Sequence, residues 1–433
     1  MYKKMNICVI GAGLSGLVAG YGLSKKGHKV TVIEKETRIG GLARSFDQNG
    51  DKIPIVYHHI MRCDSATRNL IKELGLWDNF FKRKTKMGFY SNKKIHKLSG
   101  PLDILGFKPL SFASRLKFLL FGLRVKMRRD WEELENTTAK EWIIRKANRE
   151  IYQKMFEPLL KIKFSDDSDN ISARWVGERL NMGESSGPFG YLKGGIEQIL
   201  DELASQIRKR GGNIRLGSEF VKFNISRGKI ESVIFKESGK ERMMKADKVI
   251  YTGPVSHLAK SAKFPGWYEK KLKGIKYKST ICAAIGIDKD ISEFYWTNFI
   301  AGNFSFGGII NHCKLNPYIK SAKSMLYVFI YLNKSDRLWK ESDSKILEKF
   351  ISEMDGVFGI KGGVKWKHLF RVEHSKPVYD INYRENMLDY STPIGNLYIG
   401  GIALFYPKIR NMGAAIKTGK DLVGIVDNDS TKV

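Results

Sequence analysis

The feature that most limits the architectures open to this chain is the segment NICVIGAGLSGLVAG, where an apolar run meets a G-x-G-x-x-G pattern at Gly11, Gly13 and Gly16. An apolar run, then glycines, then small and apolar residues at helical spacing predict a strand over Asn6–Ile10 and a tight turn. A helix to about Lys26 and a second strand over Lys29–Glu34 follow. In such a βαβ unit Gly11 permits the turn, Gly13 lets the backbone approach a pyrophosphate, and Gly16 lets helix and strand pack closely. The pyrophosphate meets the free N–H groups at the helix start, where the dipole favours an anion. Glu34 ends the second strand, eighteen residues after Gly16. A carboxylate there accepts ribose hydroxyls and repels a 2′-phosphate, which selects FAD or NAD over NADP.

The next segment, KETRIGGLARSF, places Gly40-Gly41 between Arg38 and Arg44. Two cations beside a bare backbone suit the second phosphate and ribityl chain of FAD. Here the sequence resembles the superfamily of flavin amine oxidases, protoporphyrinogen oxidases and phytoene desaturases. The resemblance runs on through FGYLKGGIEQILDELASQI, GSEFVKF, ADKVIYTGP and GNLYIGGIALFYPKIRNMGAAIKTGKDL, which together span most of the chain. IVYHHIMRCD, EPLLKIKFSDDSDNISARW and FYPKIRNMGAAI are most similar to a prokaryotic protoporphyrinogen-oxidase-like group of unassigned substrate. The resemblance implies non-covalent FAD held by Gly11, Gly13, Gly16, Glu34, Lys35, Gly40, Gly41, Leu42, Arg44, Val221, Gly401, Met412 and Gly413. Val221 would meet the adenine through its backbone, and the helix starting near Met412 would aim its N-terminus at the flavin O2. The chain departs from the family at Ile402, where relatives carry an Asp after Gly400-Gly401.

The implied fold is α/β, or α+β overall. A Rossmann-type FAD-binding domain over 1–80, 186–256 and 385–433 is interleaved with a substrate-binding domain of mixed sheet and helices over 81–185 and 257–384. Helices are expected at 65–75, 111–129, 137–160 and 195–210, and a hairpin turning at Arg227-Gly228.

Tyr57-His58-His59 stands where UDP-galactopyranose mutases, a more distant flavoprotein family, carry a histidine beside the isoalloxazine. That resemblance makes His59, then His58, candidates for hydrogen bonding to flavin or exchanging a proton with substrate. Two imidazoles bonded to backbone would satisfy the same pattern. Tyr406 and Arg410 precede the C-terminal helix and would border a substrate cavity; Arg410 suits a substrate anion or cofactor phosphate, or equally a salt bridge within the loop. Flavin carries the electron chemistry, so no metal is required. Cys8, Cys63, Cys282 and Cys313 lack ligand spacing. The expectation is an FAD-dependent oxidase, dehydrogenase or desaturase acting on a C–C or C–N bond of an apolar or isoprenoid-like molecule. The alternative is a UDP-galactopyranose-mutase-like flavoenzyme acting on a nucleotide- or lipid-linked sugar.

A formal charge of +30 implies an anionic partner, and fourteen Lys/Arg against the single acid Asp103 crowd the stretch from Lys82 to Arg129. Within it, SFASRLKFLLFGLRVKMRRD sets Phe112, Leu116, Leu119, Leu120 and Leu123 among Arg115, Arg124, Lys126, Arg128 and Arg129. This pattern fits a helix on an anionic membrane surface, or a helix with its apolar side in the core. EFYWTNF at 293–299 fits a cavity lining or a core strand equally. No nucleic-acid motif accompanies the charge, so no specific nucleic-acid partner is expected. The lack of an 18-residue apolar window and the direct start on a strand favour a cytoplasmic protein, membrane-associated at most.

Overall fold

A computed structural model describes residues 4–183, 188–360 and 362–428. The expected boundary at 185/186 lies outside them. The strand Asn6–Ile10 forms the centre of a five-stranded parallel sheet. On one side it pairs with Lys29–Ile33, which pairs with Asn213–Arg215; on the other it pairs with Lys248–Tyr251, which pairs with Leu397–Ile399. Strands covered on both faces need unbroken apolar runs, and Ile7, Cys8, Val9 and Ile10 are all buried. The helix Leu14–Lys25 lies under the sheet against helices Glu197–Lys209 and Met412–Asn428. A Cβ on Gly419 would meet Ser15 O at 2.7 Å, so only glycine allows the C-terminal helix to approach this closely.

The second large sheet has seven strands, in the order Val364–Pro377, Tyr277–Ile287, Ser324–Leu332, Gly308–Asn311, Trp296–Phe299, Met87–Ser91, Lys94–Lys97. Its strand Tyr277–Ile287 alternates with period two. Ile281, Ala283, Ile285 and Ile287 pack into one cluster with Phe350 and Met354 of helix Asp343–Phe358, whereas Cys282 and Ala284 join the main core. Trp296 of the aromatic segment is buried core, with its ring 5.0 Å from that of Tyr57. A three-stranded antiparallel sheet over Ser218–Lys245 turns at Arg227-Gly228, both at positive φ, as the hairpin reading required.

One element differs from expectation, and another decides between two readings. The stretch 137–160 is not one helix but Ala139–Lys146, Arg149–Ile151, a π-turn at Tyr152–Phe156, and the start of Glu157–Phe164. Asn148 causes the break: its side chain accepts from Ile151 N at 2.8 Å and starts a new helix. The helix expected at 111–129 spans Phe112–Met127; its buried face carries Ser114, Phe121 and Val125, which excludes the reading that put the Phe112, Leu116, Leu119, Leu120 and Leu123 side in the core.

Candidate functional site

Between the two sheets lies a cavity of about 770 Å³, large for a ligand cleft. Its floor is the first βα turn. Gly11, at φ 104°, donates its N–H to Ile33 O at 2.8 Å, and Gly40 donates to Ala12 O at 2.8 Å, fastening the second glycine loop onto the first. A Cβ on Gly16 would sit 2.1 Å from Gly11 O, whereas a Cβ on Gly13 would meet nothing within 4 Å and would project into the cavity. Gly13 therefore bares the backbone where a pyrophosphate can approach, and Gly16 serves packing alone.

Glu34 is buried and already engaged. One carboxylate oxygen accepts from Ala12 N at 2.8 Å and the other from Glu36 N at 3.0 Å. Its remaining lone pairs are the ones a ribose can use. Lys35, Gly40, Gly41, Leu42, Arg44, Val221, Gly401 and Met412 line the same cavity, and Ile402 presents an alkyl wall to it. These residues fit FAD: a bare glycine cradle, a ribose acceptor, and a cation at Arg44.

The far end of the cavity brings together Tyr57, His58, His59, Trp175, Tyr331 and Arg410 from segments as much as 353 residues apart. His58 bonds through Nδ1 to Val56 O at 2.8 Å; a carbonyl only accepts, so Nδ1 carries the proton and Nε2 remains the basic nitrogen. Burial, helped by the nearby Arg410 and His59, pushes its imidazole down to about 4, so the ring is neutral at pH 7. His59 meets Tyr295 Oη at 3.2 Å and lies against Phe189, centroids 4.2 Å apart. Arg410 donates to Ser375 O at 2.7 Å and to Tyr331 Oη at 3.4 Å, fixing its guanidinium at the cavity wall.

The family model for flavin-containing amine oxidoreductases matches residues 14–421. The chain belongs to this family. Zeta-carotene desaturase of Arabidopsis thaliana is 22% identical to this flavin-containing amine oxidoreductase over 96% of the chain and 84% of that protein. Two solved structures share its fold, each with a TM-score of 0.77. A protoporphyrinogen-oxidase-like protein of Exiguobacterium sp. 255-15 is 16% identical over 99% of this chain and 100% of its own. Reduced UDP-galactopyranose mutase is 17% identical over 98% and 95%. The protein is an FAD-dependent oxidoreductase with an α/β fold.

Two candidate residues of this amine oxidoreductase do other work. Tyr406 does not line the cavity; it is buried, donates to Glu135, lies 3.2 Å from Ser172 Oγ, and packs against Tyr379 and Tyr383. Gly413 donates its N–H to Asp64 Oδ2 at 3.2 Å, and Ala414 N donates to Asn411 Oδ1, so neither group is open to a flavin oxygen. Of the helix start, Met412 lines the cavity. Sequence reasoning missed five further cations on the cavity wall, Lys163, Arg179, Lys260, Arg371 and Lys376. Lys376 is buried, its Nζ 3.7 Å from the ring centre of Phe164 and 4.7 Å from that of Trp175. Neither spacing nor composition marks these residues among the chain's 75 lysines and arginines.

Proposed function

We propose that this enzyme dehydrogenates a C–C or C–N bond in an apolar, isoprenoid-like molecule that carries a carboxylate or phosphate. One observation carries the reading: the far end of the cavity combines aromatic walls, Trp175, Tyr331 and Phe405, with the cations Lys163, Arg179, Lys376 and Arg410. A hydrocarbon tail matches the first set and an anion the second. The zeta-carotene desaturase likeness supports an extended unsaturated skeleton, and the cations add the anionic end. Bound FAD supplies the acceptor for the electrons of the cleaved C–H bond. The chain's own part is to hold the anion, to exclude water, and to present neutral His58 Nε2 as a hydrogen-bond acceptor.

The test is an anaerobic titration of the FAD enzyme with isoprenoid carboxylates and diphosphates, and with neutral alcohols of the same skeleton. Bleaching of the flavin by the anionic compounds, with at least tenfold weaker response from the alcohols, is expected; Lys376→Gln should narrow that gap. Equal response to both removes the anionic end from the reading. The same cations would suit a sugar diphosphate, which favours a second reading, mutase-like chemistry without net oxidation. Turnover only after prior chemical reduction, with no bleaching by substrate, would establish that alternative.

A further inference from the structure

Among the described residues, seven of the twelve exposed large apolar side chains fall between positions 102 and 127. Five of them, Phe112, Leu116, Leu120, Leu123 and Met127, follow one another at steps of four, four, three and four residues along a single 16-residue helix. That spacing is one stripe of an α-helix. The stripe is 43–76% exposed, and Leu102 at 82% and Leu105 at 40% extend it from the preceding turn. Arg115 ties turn to helix by donating to Leu105 O and Leu110 O, each at 2.9 Å. The stripe is not a misplaced core face, because the opposite side is already packed. Phe121 lies 5.0 Å from the ring of Trp142 and 6.2 Å from that of Phe156, and Val125 is buried.

The flanks of the stripe are cationic. Lys108, Lys117, Arg124, Lys126 and Arg129 are exposed along this segment, and the only acid between Lys82 and Arg129 is Asp103. No described helix is long and apolar enough to cross a bilayer. An exposed apolar stripe bordered by cations instead suits a helix lying in the plane of an anionic lipid surface. A second copy of this chain fits poorly, since each copy carries +30 and would bring the same cations opposite one another. We infer that helix Phe112–Met127 is a docking element for an anionic bilayer, with Phe112, Leu116, Leu120, Leu123 and Met127 entering the acyl boundary and the flanking lysines and arginines meeting phosphate headgroups. The helix packs on Ala173–Met182, whose Trp175 and Arg179 line the cavity, so docking sets that part of the cavity wall toward the lipid. This inference does not rest on the substrate reading above.

The test uses the full-length FAD enzyme in flotation with vesicles of phosphatidylcholine alone or mixed with phosphatidylglycerol. Wild type should float with the anionic vesicles, at least tenfold more weakly with the neutral ones, and lose binding as salt rises. Leu116→Gln, Leu120→Gln and Leu123→Gln together should abolish flotation while melting temperature and flavin spectrum stay unchanged, because all three side chains are exposed. A second protein, Leu120→Trp, should show blue-shifted emission on anionic vesicles, and this holds even should the triple variant misfold. Three outcomes overturn the inference: wild type that ignores anionic vesicles at low salt, a triple variant that folds and floats like wild type, or a vesicle-free dimer that the triple variant disrupts. RNA binding unaffected by the triple substitution, with vesicles ignored, would assign the charge to a different partner.

Discussion

At the scale of single residues, the glycine and acid signature was legible because its requirements are local: Gly13 and Glu34 do their work within one βα turn. Gly13→Val should abolish FAD binding, read as colourless protein, since its side chain enters the cradle. Glu34→Ala should weaken FAD by about 1–3 kcal/mol in equilibrium dialysis, and should also lower the stability of the FAD-free protein, because the N–H groups of Ala12 and Glu36 lose their acceptor. Tyr406 was misjudged because its partners, Glu135 and Ser172, lie more than 230 residues away and no spacing announces them. Tyr406→Phe should therefore cost about 1–3 kcal/mol of stability with flavin spectrum and turnover unchanged. His312 was not singled out at all. It is fully buried between the rings of Tyr191 and Tyr327, with neither ring nitrogen bonded among the described residues, and burial pushes it down to about 3. Below about pH 6.5 the unfolded chain takes up a proton that the folded one refuses, so stability present at pH 7 should fall toward pH 3, by at most about 1.4 kcal/mol per pH unit for this group. Thermal melts should show that acid limb, shallower in His312→Leu.

At the scale of elements, the long helices and the hairpin were legible because period and turn chemistry agree. The helix Phe112–Met127 was legible in length but not in phase. It carries two apolar stripes, Phe112/Leu116/Leu120/Leu123/Met127 and Phe118/Phe121/Val125, and periodicity alone does not say which one meets the core. Packing decides, through Trp142 and Phe156. The start of this helix is held from outside by Glu150, whose carboxylate accepts from Ser111 N, Ser111 Oγ, Ser114 Oγ and Lys154 Nζ. The hydrogen bonds of the two serines and Lys154 hold the carboxyl down at about 2. Glu150→Ala should cost about 1 kcal/mol, the scale of a lost cap, and should speed amide exchange in the first turn while FAD stays bound. The break at Asn148 was hidden because flanking residues keep a helical pattern through it, and only the side-chain cap on Ile151 ends it.

For the whole molecule, the cavity was the least legible part, since Lys163, Arg179, Lys376 and Arg410 come from separate segments and become neighbours only when the two sheets face each other. The same separation makes FAD binding a property of the complete fold. Gly11, Thr252 and Gly401 line one wall, and Leu397–Ile399 closes the parallel sheet by pairing with Lys248–Tyr251. A protein ending at residue 396 should consequently retain no flavin, measured as absorbance after gel filtration. Parallel pairing of the first strand with partners some 240 residues downstream, and of those with a strand 150 further on, also has a bearing on birth of the molecule. At about 5–20 residues per second, the ribosome needs roughly 20–80 s between the emergence of Asn6 and that of Ile399. Throughout that interval the phosphate loop is made but its sheet has an open edge, so nascent chains should be retained by chaperones and acquire their yellow colour only after release.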